Sequence, residues 1–130
     1  MSMRRFRPLF AVFCSTLLVT VCLQLFHGCS STPPLTDEEM AKLHPQVQRL
    51  LAGDSVPELE EASSLLADGS RAYELIVRTT AADELRSIGI SPQSQFGEFL
   101  TVRVTTEEIV KLARLPSLIA IDPGSKNYPQ

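Results

Sequence analysis

Between Ala72 and Asp122 the apolar residues switch between the two-residue repeat of a strand and the wider repeat of a helix. The order of those switches leaves few folds open. In AYELIVRT, Tyr73, Leu75 and Val77 alternate with Ala72, Glu74, Ile76 and Arg78, the pattern of a half-buried strand. TAADELRSIG then predicts a helix with Leu85 and Ile88 as its apolar stripe. Thr80 is placed to cap it, Asp83 puts negative charge in its first turn, and Gly89 supplies the left-handed closing residue. ISPQSQF, from about Ile90 to Phe96, predicts a second strand. Pro92 and its polar neighbours suit the edge of a sheet better than its centre. Gly97-Glu98 is a tight turn into Phe99–Val104, with Leu100, Val102 and Val104 on one face and Phe99, Thr101 and Arg103 on the other. Thr105 with Glu108 has capping-box spacing. Ile109, Leu112 and Ala113 line the helix that follows, Pro116 ends it, and Leu118 to Ile121 is the last strand.

Strand, helix, strand, strand, helix, strand is the order of a split βαβ unit. The expected class is α+β, a ferredoxin-like βαββαβ antiparallel sheet with two helices on one face, preceded by two short helices. Such a fold hosts many unrelated functions, so function must be argued from a site. With the helices on one side, the other sheet face would carry Phe99, Thr101 and Arg103 with Tyr73 or Ile76. That face is the candidate contact surface.

Ahead of this unit, Thr36 and Glu39 again have capping-box spacing. The expected helix runs to about Ala52, with Met40, Leu43, Val47, Leu50 and Leu51 on one side, Gly53 closing it and a kink at Pro45. A second helix is expected from about Pro57 to Ala67, its apolar face made by Leu59, Ala62, Leu65 and Leu66. Asp68-Gly69 then turns the chain into the first strand. The expected organisation is a signal segment over 1–28, a linker over 29–35, a helical spacer over 36–69, the ferredoxin-like domain over 72–122 and a tail over 123–130.

Residues 1–28 have the layout of an export signal. Arg4, Arg5 and Arg7 precede LFAVFCSTLLVTVCLQLF, and Gly28 stands just before Cys29. The segment resembles a bacterial lipoprotein signal, and the resemblance implies that Cys29 receives lipid and becomes the mature N-terminus. Phe26 stands three residues before the cysteine, where such signals usually place Leu. The alternative is an uncleaved transmembrane anchor, since about 20 apolar residues can span a bilayer. Both place the folded part outside the cytoplasm, in the cell envelope. SSTPP after Cys29 suits a tether. Ser30 stands where an aspartate usually signals inner-membrane retention, so the outer membrane, on its periplasmic face, is the preferred destination in a Gram-negative cell.

The formal charge of −3 conceals a division between the ends. Three of the twelve basic residues precede Cys29, so nine face all fifteen acids beyond it, a side-chain charge of −6. Phosphate binding needs a basic face, and here Arg71, Arg78, Arg86, Arg103, Lys111 and Arg114 are interleaved with acids, so no nucleic-acid partner is expected. Cys14 and Cys22 lie in the apolar run and Cys29 is the lipid candidate, which leaves no thiol for a disulfide or a metal site. His44 stands without other ligands or a nucleophile. There is no Gly-rich phosphate loop and no nucleophile paired with a base. Glu38-Glu39, Glu60-Glu61 and Glu107-Glu108 suit helix first turns or exposed faces. Neither an enzyme, a cofactor nor a metal is expected.

YELIVRTTAADELRSIGI, GEFLTVRVT and EEIVKLARLPSLIAID together resemble the propeptide-type inhibitor domain of subtilisin-like serine proteases. The matching positions are Leu85, Gly89, Gly97, Thr101, Val102, Val104, Leu112, Pro116 and Ile121. KLHPQVQRLLA also resembles the helix that often precedes this domain in large secreted bacterial subtilases. The resemblance implies a non-catalytic protein that inhibits or chaperones a protease, packing its sheet on the protease surface while its C-terminal tail enters the cleft like a product. The partner would be a subtilisin-like serine protease, met by Phe99, Thr101 and Arg103 on the sheet and by Tyr128 and Gln130 in the tail. Two departures accompany it. No protease follows in this chain, so the domain is expected to act in trans. Asn127 stands four places in from the end, where subtilisins usually favour an apolar side chain, which leaves Tyr128 as the tail's hydrophobic anchor. The alternative expectation is a general interaction or structural lipoprotein of the envelope that binds no protease.

Overall fold

Local capping opens the packed part of the chain. In the computed structural model, which describes residues 32–124, Thr36 Oγ1 accepts from Glu39 N at 3.2 Å while Glu39 Oε2 accepts from Thr36 N at 2.8 Å. The helix this starts, α1 (Asp37–Ala41), stops after five residues. Pro45 is the cause, but it does not kink a longer helix. It disfavours the helical conformation in the residue before it and begins a new helix at its own first position, α2 (Pro45–Leu51). The residues between are drawn into the sheet. His44 N donates to Ile121 O and Ile121 N donates to Lys42 O, both at 2.9 Å, an isolated parallel bridge at Leu43.

The next helix, α3 (Pro57–Glu61), is also shorter than its pattern suggests. The expected helical residues Ser63–Leu65 form instead a short strand, β1, paired with β2 (Arg71–Thr79). Ser63 and Ser64 have little helix propensity, and the vacant edge of β2 offers their backbone ladder partners. Leu65 is 70% exposed, so it lies on no buried helix face.

After β2 come α4 (Ala82–Ser87), β3 (Ser94–Phe96), β4 (Phe99–Val104), α5 (Thr106–Ala113) and β5 (Leu118–Pro123). Thr80 does not cap α4. Ala81 holds that position without a side-chain bond, and Thr79 Oγ1 accepts from Ala81 N at 3.2 Å instead. Gly89 closes the turn at φ 87°, as its position predicts. β3 is shorter than expected because Ile90 turns into the core and Pro92 has no N–H to give a ladder. The α5 capping box forms as expected between Thr105 and Glu108.

The class is α+β, with a five-stranded antiparallel sheet. β2 pairs with β4 along one edge, from Tyr73↔Val104 to Arg78↔Phe99. Its other edge is shared: β5 takes Leu75 to Thr79 and β1 takes Arg71 to Tyr73, end to end. β3 flanks β4. A register shift between Arg78 and Thr79 leaves Ile119 as an extra residue in β5, a bulge.

One core lies on one face of this sheet. Leu75, Val77, Leu100, Val102, Val104, Leu118 and Ile121 meet Leu85, Ile109 and Leu112 from α4 and α5 there. Leu43, Val47, Leu50, Val56 and Leu59 join the same cluster. The segment 36–69 is therefore part of the packed unit that begins at Pro34 and not a spacer ahead of it. Cys14, Cys22 and Cys29, with the signal or anchor segment, and Asn127, Tyr128 and Gln130 in the tail, lie outside the described residues.

Candidate functional site

The second face of the sheet follows from the same two-residue repeat that built the core. Residues alternating with Leu75 and Val77 on β2, and with Leu100 and Val102 on β4, must point away from the helices. Register aligns them in rows. Asp122, Ile76, Thr101 and Ser94 lie across β5, β2, β4 and β3. Ala120, Arg78, Phe99 and Phe96 form the next row. Glu74 faces Arg103 on the other side of the first.

Phe99, Thr101 and Arg103 are thus brought together on this face, with Phe99 50% exposed. Ile76 shares the face. Tyr73 does not: it is 7% exposed and belongs to the core beside Leu75 and Val77, because strand alternation outweighs its polar hydroxyl. The residue that sequence reasoning missed is Phe96, which is 87% exposed. The two-residue turn Gly97-Glu98 could have shown it, since such a turn sets Phe96 opposite Phe99 and therefore on the same face.

Charge frames the aromatic pair. Arg78 Nε lies 3.4 Å from Glu98 Oε2, and its guanidinium carbon stands 5.6 Å from the Phe99 ring centre. Arg103 Nη2 lies 3.8 Å from Glu74 Oε2 across the strands. Pairs this exposed contribute little stability. Their effect is orientation: Arg78 is held beside the Phe99 ring, and Arg103 is drawn toward Glu74 of β2. The result is an apolar end, Phe96 and Phe99 with Ala120, and a charged end at Glu74 and Arg103.

Several polar groups away from this face have structural partners. His44 Nδ1 accepts from Gln46 N at 3.3 Å and caps α2. Thr79 Oγ1 lies 3.1 Å from both the carbonyl and the hydroxyl of Ser117, and the Ser117 hydroxyl donates to Glu84. This ties the start of α4 to the start of β5. Asp68 sits in the β1–β2 turn, where the hydroxyl and N–H of Ser70 both donate to it and hold its carboxyl below the ordinary value of 3.8. Among the described residues no group of three or more His, Cys, Asp or Glu side chains could hold a metal ion. Among them no helix is long and apolar enough to cross a membrane. Comparison with protein-family models, curated proteins and solved structures finds no match in any of the three.

Proposed function

We propose that this chain is a membrane-tethered, non-catalytic protein of the cell envelope that binds a subtilisin-like serine protease in trans, as an inhibitor or a chaperone. The sheet is read as ferredoxin-like: from β2 onward the strands lie in the order β5–β2–β4–β3, each βαβ crossover carries one helix, and β1 is an addition to that pattern. Cys29 is the proposed site of lipid attachment, on the layout of residues 1–28, and the outer membrane is the proposed destination.

One observation carries the reading. The helices, those of the segment 36–69 included, join the core on one sheet face, while Phe96 and Phe99 stand exposed on the other. Two neighbouring exposed aromatics on a rigid sheet present a preformed contact surface of low ordering cost. That is the surface the propeptide resemblance would use, and Thr101, Arg103 and Ile76 extend it. Tyr128 and Gln130 are proposed to follow into the cleft.

The test is a titration of the full-length chain, in detergent micelles, into a panel of subtilisin-like proteases, with and without the residues after Ser125. Tight inhibition that weakens on trimming supports cleft insertion. Binding that survives trimming supports the sheet face alone. If no protease in the panel forms a complex, the chain is a general interaction lipoprotein and the inhibitor reading is lost.

A further inference from the structure

Where β2 and β4 pair, the outward residues of each strand form a trio that is complementary to itself turned end for end. On β2 the trio is Arg78, Ile76 and Glu74: a cation, an apolar residue and an anion. On β4 it is Phe99, Thr101 and Arg103: an aromatic ring, a small polar residue and a cation. Ile76 and Thr101 are register partners, so the two centres share one row across the strands. A two-fold axis along that row sets Arg78 of one copy against Glu74 of the other, and Arg103 against the Phe99–Phe96 pair. Opposite charges then meet, and a cation meets aromatic rings. The pairs within one copy are long, 3.4 Å for Arg78–Glu98 and 3.8 Å for Arg103–Glu74, so both guanidinium groups keep donors to spare.

Charge favours the same contact. Beyond Cys29 nine bases face fifteen acids. This face holds two of those bases, Arg78 and Arg103, and three of the acids, Glu74, Glu98 and Asp122, so it carries −1 and the rest carries −5. Two copies therefore repel least when they meet through it. One group opposes the contact: Asp122 lies in the Ile76–Thr101 row and meets its own copy across the axis. It stands exposed at the β5 end, where water and salt screen it. Four strands about 4.8 Å apart and three rows about 6.8 Å apart give a footprint of roughly 400 Å² per copy. That is roughly 800 Å² in all, under the ~1,200 Å² at which stable interfaces begin. The contact is therefore weak in free solution and gains its population where copies share one membrane.

We propose that this face pairs with the same face of a second copy about a two-fold axis along the Ile76–Thr101 row, and that the dimer is latent because it covers the protease-binding surface. The latency rests on the tethered-inhibitor reading above; the dimer itself does not.

Sedimentation equilibrium of the full chain in density-matched detergent micelles tests the dimer. The samples are wild type, Arg78→Glu, Glu74→Arg, and an equal mixture of the two variants. Each variant alone sets like charges against each other at both contacts and is expected to weaken dimerisation roughly tenfold or more. The mixture restores opposite charges at both and should dimerise as wild type does. A wild type that stays monomeric at every loading of the micelles overturns the proposal. So does a wild-type dimer that the mixture fails to restore. Asp122→Asn removes the one opposed pair and should tighten the dimer roughly two- to fivefold; an unchanged or weaker dimer overturns the placement of the axis. If a charge reversal fails to fold, Asp122→Asn decides alone. Latency is read separately, as inhibition per chain in phosphatidylcholine vesicles at low and high surface density, against a protease that wild type inhibits. Wild type should lose roughly threefold at high density, while the ratio for Arg78→Glu should stay near one. Equal wild-type inhibition at both densities overturns the latency. If wild type dimerises yet inhibits no protease, the inhibitor reading fails and takes the latency with it, while the dimer stands.

Discussion

Replacing Phe99 and Phe96 with alanine measures the sheet face directly, and the structure sets the size of the effect. Phe99 keeps 50% and Phe96 87% of its surface in contact with water. A phenylalanine has roughly 200 Å² to bury, so a partner that covers the face takes up to ~100 Å² from Phe99 and ~175 Å² from Phe96. At about 25 cal/mol per Å² the ceilings are ~2.5 and ~4 kcal/mol. Ordering and desolvation costs offset part of this, and Phe99→Ala is expected to weaken binding by about 1–2 kcal/mol, roughly five- to thirtyfold. Phe96→Ala should cost at least as much. Because the two rings are direct cross-strand neighbours, the double variant should fall short of the sum. The assay is the inhibition constant against a responsive subtilisin-like protease, with thermal unfolding run on each variant. Phe99→Ala also removes the ring beneath Arg78, so a small loss of stability is expected there and none at Phe96. If both variants fold and inhibit within twofold of wild type, the sheet face is not the contact surface and the argument from its exposure is wrong.

Two further predictions concern the fold itself. Thr79 is buried and bonded to both Ala81 and Ser117. Thr79→Val keeps the shape but strands the Ala81 N–H, and should cost about 1–3 kcal/mol in urea unfolding; a loss within error would mean another group satisfies that amide. Asp68 titrates below its ordinary 3.8 because Ser70 donates to its charged form. Its contribution is therefore complete above that value and is lost as pH falls through the lowered folded one. Asp68→Asn should flatten that part of the acid limb of the stability curve, and an unchanged limb would remove the Ser70 contacts from the account.

Where short-range chemistry decides an element, the sequence announced it. The Thr36–Glu39 and Thr105–Glu108 boxes, the alternation in β2 and β4, the turn at Gly97 and the left-handed Gly89 all depend on neighbours a few residues away. Two of the misses share another cause. A helical pattern over Ser63–Leu65 became β1 because β2 had an edge to fill, a fact that belongs to a different part of the chain. Pro45 was visible as an interruption, but its consequence, Leu43 bridging to Ile121, needed β5 to be in place. The site divides in the same way. Phe99, Thr101 and Arg103 share a face by strand periodicity alone, and Phe96 could have been added from the length of its turn.

By itself, then, the sequence determined the alternation of β2 and β4 and the start of most helices, and with them which residues of β4 point together. Periodicity is a property of one element, so it could not say which sheet face the segment 36–69 would cover. Tertiary packing decided that, by placing Leu43, Val47, Leu50, Val56 and Leu59 in the one core and leaving Phe96 and Phe99 exposed on the other face. Packing also brought Gly124 against Glu74, fifty residues away in sequence. A Cβ on residue 124 would stand 2.7 Å from the Glu74 carbonyl oxygen, so the steric reason for a glycine there exists only once β5 and β2 lie side by side.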